Sequence, residues 1–135
     1  MGWDCRAKRA AESAYARATS VYKAAKLKYD NAKELMTSLN AESASVLRMI
    51  GKYNNASNVV REAGSTFCTT TNMGFLNTGV NCLIDYQTEV KEAQAKCRTE
   101  LDTCKTNMDN AKIAMDNAKT TMENTPCVWV DDSKK

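Results

Sequence analysis

Residues 15–36 read Tyr-Ala-Arg-Ala-Thr-Ser-Val-Tyr-Lys-Ala-Ala-Lys-Leu-Lys-Tyr-Asp-Asn-Ala-Lys-Glu-Leu-Met. Tyr15, Tyr22, Tyr29 and Met36 stand seven residues apart, and Ala18, Ala25 and Ala32 each follow a tyrosine by three. Met108, Met115 and Met122 repeat the spacing, with Ala111 and Ala118 in the alanine places. Asp-Asn-Ala-Lys recurs at Asp30–Lys33, Asp109–Lys112 and Asp116–Lys119. A period of seven with small residues on one seam is a signal for helices packed side by side.

Outward from this stretch the composition agrees. The 135 residues hold 5 Gly and 1 Pro, so helix breakers are few. Ala, Lys, Glu, Met and Leu fill the long unbroken runs, and these are good helix formers. The expected fold is therefore all-α: one domain over 1–135, an elongated, disulfide-stapled bundle of three main helices with heptad Ala/Tyr/Met seams. The helices are expected at about 4–39, 41–63 and 81–124, with a loop at 64–80 and a tail at 125–135. Asp4 reads as the first N-cap. Thr37-Ser38-Leu39-Asn40 reads as a weak break. The alternative is a long two-helix antiparallel hairpin, because the period continues through Leu39, Val46, Tyr53 and Val60.

The first seam is expected to run Ala7, Ala11, Ala14, Ala18, Val21, Ala25, Lys28, Ala32, Leu35 and Leu39, with the tyrosines flanking it. The last is expected to run Leu83, Tyr86, Val90, Ala93, Cys97, Leu101, Cys104 and on through Met108 to Met122, with a stutter at the two four-residue steps around Cys97. Residues 1–33 carry eight basic and three acidic side chains, while residues 81–125 carry six basic and eight acidic. Opposite charge favours pairing of the two repeat segments with each other or with a second copy. The overall +3 is too mild to imply nucleic acid. No run approaches the ~20 apolar residues of a membrane span.

Six cysteines are many for this length: Cys5, Cys68, Cys82, Cys97, Cys104 and Cys127. Without Cys-x-x-Cys spacing they point to disulfides and an oxidising compartment. Their pairing is open. Cys97 and Cys104 are seven apart, about 10.5 Å along a helix, beyond the roughly 4.4–6.8 Å between Cα atoms that a disulfide spans. A Cys68–Cys82 bond would close the loop. A Cys5–Cys127 bond would bring the chain ends together, and Trp3 with Trp129. Both bonds at once leave Cys97 and Cys104 to other partners.

The chain contains no histidine. That removes the commonest general base and the commonest metal ligand. No catalytic residue, metal ligand or cofactor is expected. The profile is that of a secreted, non-enzymatic protein-binding module: an effector, inhibitor or surface-interaction protein of the salivary or venom type. Residues 1–6 have no apolar run, so secretion implies a leader already removed. An extracellular protein partner is expected, and Tyr15, Tyr22, Lys23 and Tyr29 form the candidate partner-binding face. Asn55-Ala56-Ser57 is a candidate glycosylation site. Two alternatives stand beside this. One is an extracellular carrier of an apolar small molecule, which the close-packed alanine seam disfavours. The other is a structural coiled-coil protein that self-associates into a homo-oligomer.

Overall fold

The structure, a computed structural model, describes residues 1–62 and 70–131. In chain order they form a short strand β1 (Gly2–Asp4), a helix α1 (Arg6–Glu62), a helix α2 (Thr70–Glu123) and a short strand β2 (Val128–Val130). The three-helix bundle is not what forms; the two-helix antiparallel alternative fits. The helices expected at 4–39 and 41–63 are one helix of 57 residues. The break at Thr37–Asn40 does not occur, and the reason is local. The Thr37 hydroxyl donates to the Lys33 carbonyl at 3.1 Å, so it is satisfied inside the helix. Leu39, two residues on, is half-buried on the seam.

Of the loop expected at 64–80, residues 70–80 are helical, because α2 already begins at Thr70. Glycine and threonine suggested a loop there, but Leu76, Val80 and Leu83 continue the helical spacing and are half-buried. Residues 64–69, with Phe67 and Cys68, lie outside the described residues.

The chain divides into two compact units, Met1–Ala32 with Glu100–Lys135, and Lys33–Thr99. In the first, the start of α1 lies beside the end of α2. β1 pairs antiparallel with β2, Trp3 opposite Trp129, and a Cys5–Cys127 disulfide joins the two ends. In the second unit the partners again run in opposite directions. Asn40 Oδ1 accepts from Gln94 Nε2 at 2.9 Å, and Ser43 Oγ accepts from Gln87 Nε2 at 2.9 Å.

Burial corrects the phase of both seams. On α1 the inward residues are Ala11, Tyr15, Ala18, Tyr22, Ala25, Tyr29, Ala32, Met36, Leu39, Ser43, Val46 and Ile50, in alternating steps of four and three. Ala7, Val21, Lys28 and Leu35, expected on the seam, are exposed. The tyrosines do not flank the seam; they alternate with alanine on it. A tyrosine ring buries far more apolar surface than an alanine methyl, so the ring row decides which face turns inward. On α2 the seam runs Leu83, Gln87, Val90, Gln94, Cys97, Leu101, Cys104, Met108, Ala111, Met115, Ala118 and Met122. Gln87 takes the place expected of Tyr86, while Ala93 is half-buried as expected, with Gln94 half-buried beside it. Tyr86 is exposed instead, and its hydroxyl donates to Glu42 Oε1 at 2.9 Å. The neighbouring carboxylate raises the Tyr86 pKa above its ordinary value. Large and small residues alternate along both seams of the first unit, the arrangement that lets side-chain layers interdigitate.

Two glycines inside the helices have opposite consequences. A Cβ added to Gly51 meets nothing within 4 Å. Gly51→Ala is expected to stabilise the fold by about 0.5–1 kcal/mol, by lowering the entropy of the unfolded chain. A Cβ on Gly79 would stand 2.6 Å from Tyr53 Cε1. Gly79→Ala is expected to cost about 1 kcal/mol through displacement of that ring, and to become stabilising in a Tyr53→Ala background. Urea denaturation of the four variants checks both; an unchanged effect in that background would show that the ring is not the obstacle.

Candidate interaction surface

The clasp of the first unit is the chain's most distinctive surface. β1 and β2 are three residues each, too short to hold together alone. The Cys5–Cys127 disulfide at their base fixes them, and of the bonds the sequence left open this one forms. Trp3 and Trp129 stand opposite each other across the ladder. Their ring centroids are 5.3 Å apart with planes at 76°, an edge-to-face pair. Both stay accessible: Trp3 is 67% exposed and Trp129 52%. Met1 and Val128 beside them are also exposed. These two tryptophans are the only ones in the chain.

The junction from β1 into α1 is fastened by charge. Asp4 is not the N-cap expected of it, because the Cys5 carbonyl accepts the first helical bond, from the Arg9 N–H at 2.9 Å. From one residue before, the Asp4 carboxylate accepts the Arg6 backbone N–H at 3.0 Å. Its two oxygens also accept from Arg6 Nε at 3.1 Å and Arg6 Nη2 at 2.9 Å. These hydrogen bonds, the side-chain pair first, lower the Asp4 pKa from 3.8 to about 2. A depressed carboxylate pKa stabilises the fold above its unfolded value and stops doing so as pH falls through the folded value. The fastening is therefore complete above about pH 4 and is lost as pH falls toward 2. An NMR titration of the Asp4 carboxyl is expected to centre near 2, and to return toward 3.8 in Arg6→Ala. A midpoint near 3.8 in the unsubstituted chain would show that the chelate does not form.

A hollow of about 460 Å³ lies beside the ladder, lined by Met1, Gly2, Trp3, Asp4, Arg6, Arg9 and Val130 among others. The clasp thus sets an aromatic ring, Trp3, and two arginines, Arg6 and Arg9, around one hollow.

The sequence-predicted site residues are placed differently. Tyr15, Tyr22 and Tyr29 are half-buried on the α1 seam, and Lys23 is exposed one position away. Truncating Tyr22 would therefore disturb helix packing as well as any surface. Asn55 is exposed on α1, so its sequon sits on a helix. Cys82 is exposed and outside any disulfide, Cys97 and Cys104 are buried on the α2 seam, and Cys68 lies outside the described residues. Among the described residues, no group of three or more His, Cys, Asp or Glu is arranged to hold a metal ion, and no helix is long and apolar enough to cross a membrane.

The alanine seam does leave a gap. A groove of about 250 Å³ opens beside it, against Val21, Ala24, Ala25, Lys28, Cys104 and Asn107. That is below the ~300 Å³ at which small-molecule pockets begin.

The sequence brings the two tryptophans together only as a consequence of a Cys5–Cys127 bond. What it also carries, and what marks the strands, is the Val-Trp-Val run beside Cys127 facing Gly-Trp-Asp beside Cys5. Comparison with protein-family models, with curated proteins and with solved structures finds no match to this chain.

Proposed function

We propose that this chain is a secreted, non-enzymatic protein-binding module whose grip is the Trp3–Trp129 clasp. The observation that carries the reading is the pair of exposed tryptophan rings on a disulfide-fixed ladder. Tryptophan and arginine are enriched among the few residues that dominate protein–protein binding energy. A rigid mount lowers the ordering cost that a flexible loop would bring to association. Arg6 and Arg9, which line a hollow together with Trp3, supply a polar rim. The intrachain disulfide suits an oxidising, extracellular setting. The missing histidine removes the commonest general base and so favours recognition over chemistry. Lys23, with the accessible edges of Tyr15, Tyr22 and Tyr29, would extend the contact along α1.

The test is affinity capture from extracellular fluid, read by quantitative mass spectrometry. The unsubstituted chain is compared with Trp3→Ala/Trp129→Ala, whose exposed rings can be removed while the disulfide keeps the ends joined. The expected result is a set of extracellular proteins retained by the first and lost by the second. Capture of nothing, or of the same proteins by both, would overturn the reading.

A further inference from the structure

Arg6 and Arg9 stand three residues apart at the start of α1, a spacing that makes them neighbours on one side of the helix. Both line the hollow of about 460 Å³ beside the ladder, with Trp3 and Cys5 as further parts of its wall. That volume is above the ~300 Å³ at which pockets for small groups begin. Like charges at this spacing repel one another, and an anion between them would relieve the repulsion.

The side-chain charge of the hollow is positive. Asp4 is the only carboxylate among the described residues that line it, and both its oxygens are taken by Arg6. That pair cancels. The Arg9 guanidinium makes no hydrogen bond or ion pair among the described residues; only its backbone N–H is engaged. One uncompensated cation with five N–H donors therefore remains. Asp4 occupies two of the five donors of Arg6, through Nε and Nη2, so Arg6 has others to offer. The backbone beneath both arginines is held: the Arg6 N–H by the Asp4 carboxylate, and the Arg9 N–H by the carbonyl of disulfide-bonded Cys5. The two side chains thus spring from a fixed base, which lowers the cost of ordering them around a ligand.

Guanidinium forks match the planar carboxylate, with two parallel hydrogen bonds to its two oxygens. A single uncompensated charge in a single hollow suits one acidic side chain better than a polyanion, and the mild net charge of +3 agrees. We infer that this hollow receives a carboxylate from an acidic segment of a partner protein. Arg9 is its counter-ion, Arg6 a second donor, and Trp3 the flat wall for the methylenes that carry it. That the partner is a protein rests on the clasp reading; the inference adds the partner's chemistry.

Fluorescence anisotropy tests it, with a labelled, capped peptide of alternating glutamate and glycine titrated with the full oxidised chain. Saturable binding is expected, and none to the same peptide with glutamine for glutamate. Arg9→Gln removes a charge that has no partner in the fold, so an unchanged urea midpoint verifies that the fold is kept. It is expected to weaken binding at least about 10-fold, the loss of a charge-assisted hydrogen bond. Arg17→Gln makes the same change at an exposed arginine of α1 outside the hollow, and is expected to bind like the unsubstituted chain. No saturable binding would overturn the inference, as would an Arg9→Gln variant that binds undiminished, or equal losses at Arg9 and Arg17. A heparin fragment bound more tightly than the peptide would overturn it too, by marking a surface for polyanions. Arg9→Gln keeps both tryptophans, so the two readings fail separately. A peptide that does not bind, while protein capture still depends on the rings, removes this inference and leaves the clasp. Capture that does not depend on the rings removes the clasp reading, whatever the peptide does.

Discussion

Cys5→Ser/Cys127→Ser is expected to cost about 5 kcal/mol of unfolding free energy, the largest effect of any change considered. The bond spans a sequence separation of 122 residues. In the chain-entropy account, closing so long a loop takes about 5 kcal/mol of freedom from the unfolded chain. The native consequences are local. β1 and β2 are three residues each and lose the tie that holds them. Trp3 and Trp129 then separate, and the surface they form goes with them. The helices keep their own seams, so far-ultraviolet helical signal falls less than stability does. Urea denaturation of the oxidised chain and the double serine variant measures the difference. A change below about 1 kcal/mol would mean that the bond closes no significant loop or that the ends meet without it.

The second large effect is expected at Val46. Its side chain is 2% exposed, the most completely buried among the described residues. Val46→Ala removes two methyl groups from a closed position and is expected to cost about 2–3 kcal/mol. Val21→Ala makes the same chemical change where the side chain is 59% exposed, and is expected to shift stability by less than about 0.5 kcal/mol. The contrast tests the phase of the α1 seam, because the sequence admits Val21 as an inward residue and the structure turns it out. Comparable losses at both positions would mean that α1 is rotated from the face described.

The all-helical character and the heptad were legible because they repeat: a period of seven in two distant segments has few other physical causes. The phase was not legible in the same way. Alanine occurs at Ala7, Ala10, Ala11, Ala14, Ala16 and Ala18, so several faces of α1 look equally small. The tyrosines break the tie, since only their rings have much surface to remove from water. On α2 the obstacle was polarity. Gln87 and Gln94 look like surface residues until Ser43 and Asn40 are seen to supply their hydrogen bonds, and such pairing has no mark in the sequence. Reading Tyr86 inward in place of Gln87 was the error; Ala93 is half-buried as expected, beside Gln94.

The clasp shows the same division. Cys5 and Cys127 lie just outside the two helices, so the possibility of their bond was visible. Which of the bonds forms depends on antiparallel pairing, which spacing alone leaves open. The edge-to-face tryptophan pair follows from the strand register that the bond fixes. Its accessibility could not be read at all, because apolar residues beside a terminal cysteine are as easily tucked under as presented. Glycine misled in one place: Gly74 and Gly79 suggested a loop, whereas Gly79 lies within α2 where the Tyr53 ring comes close.

The central claim is that a disulfide-fixed clasp presents Trp3 and Trp129 as one rigid pair. Circular dichroism of the oxidised chain tests it most directly, since no other tryptophan contributes. Two indole rings in edge contact at 5.3 Å couple their transitions and give a paired positive and negative band. The account predicts that couplet in the oxidised chain, its loss in Trp3→Phe, and its loss in Cys5→Ser/Cys127→Ser. An oxidised chain without the couplet, or a couplet that survives removal of the disulfide, would contradict it.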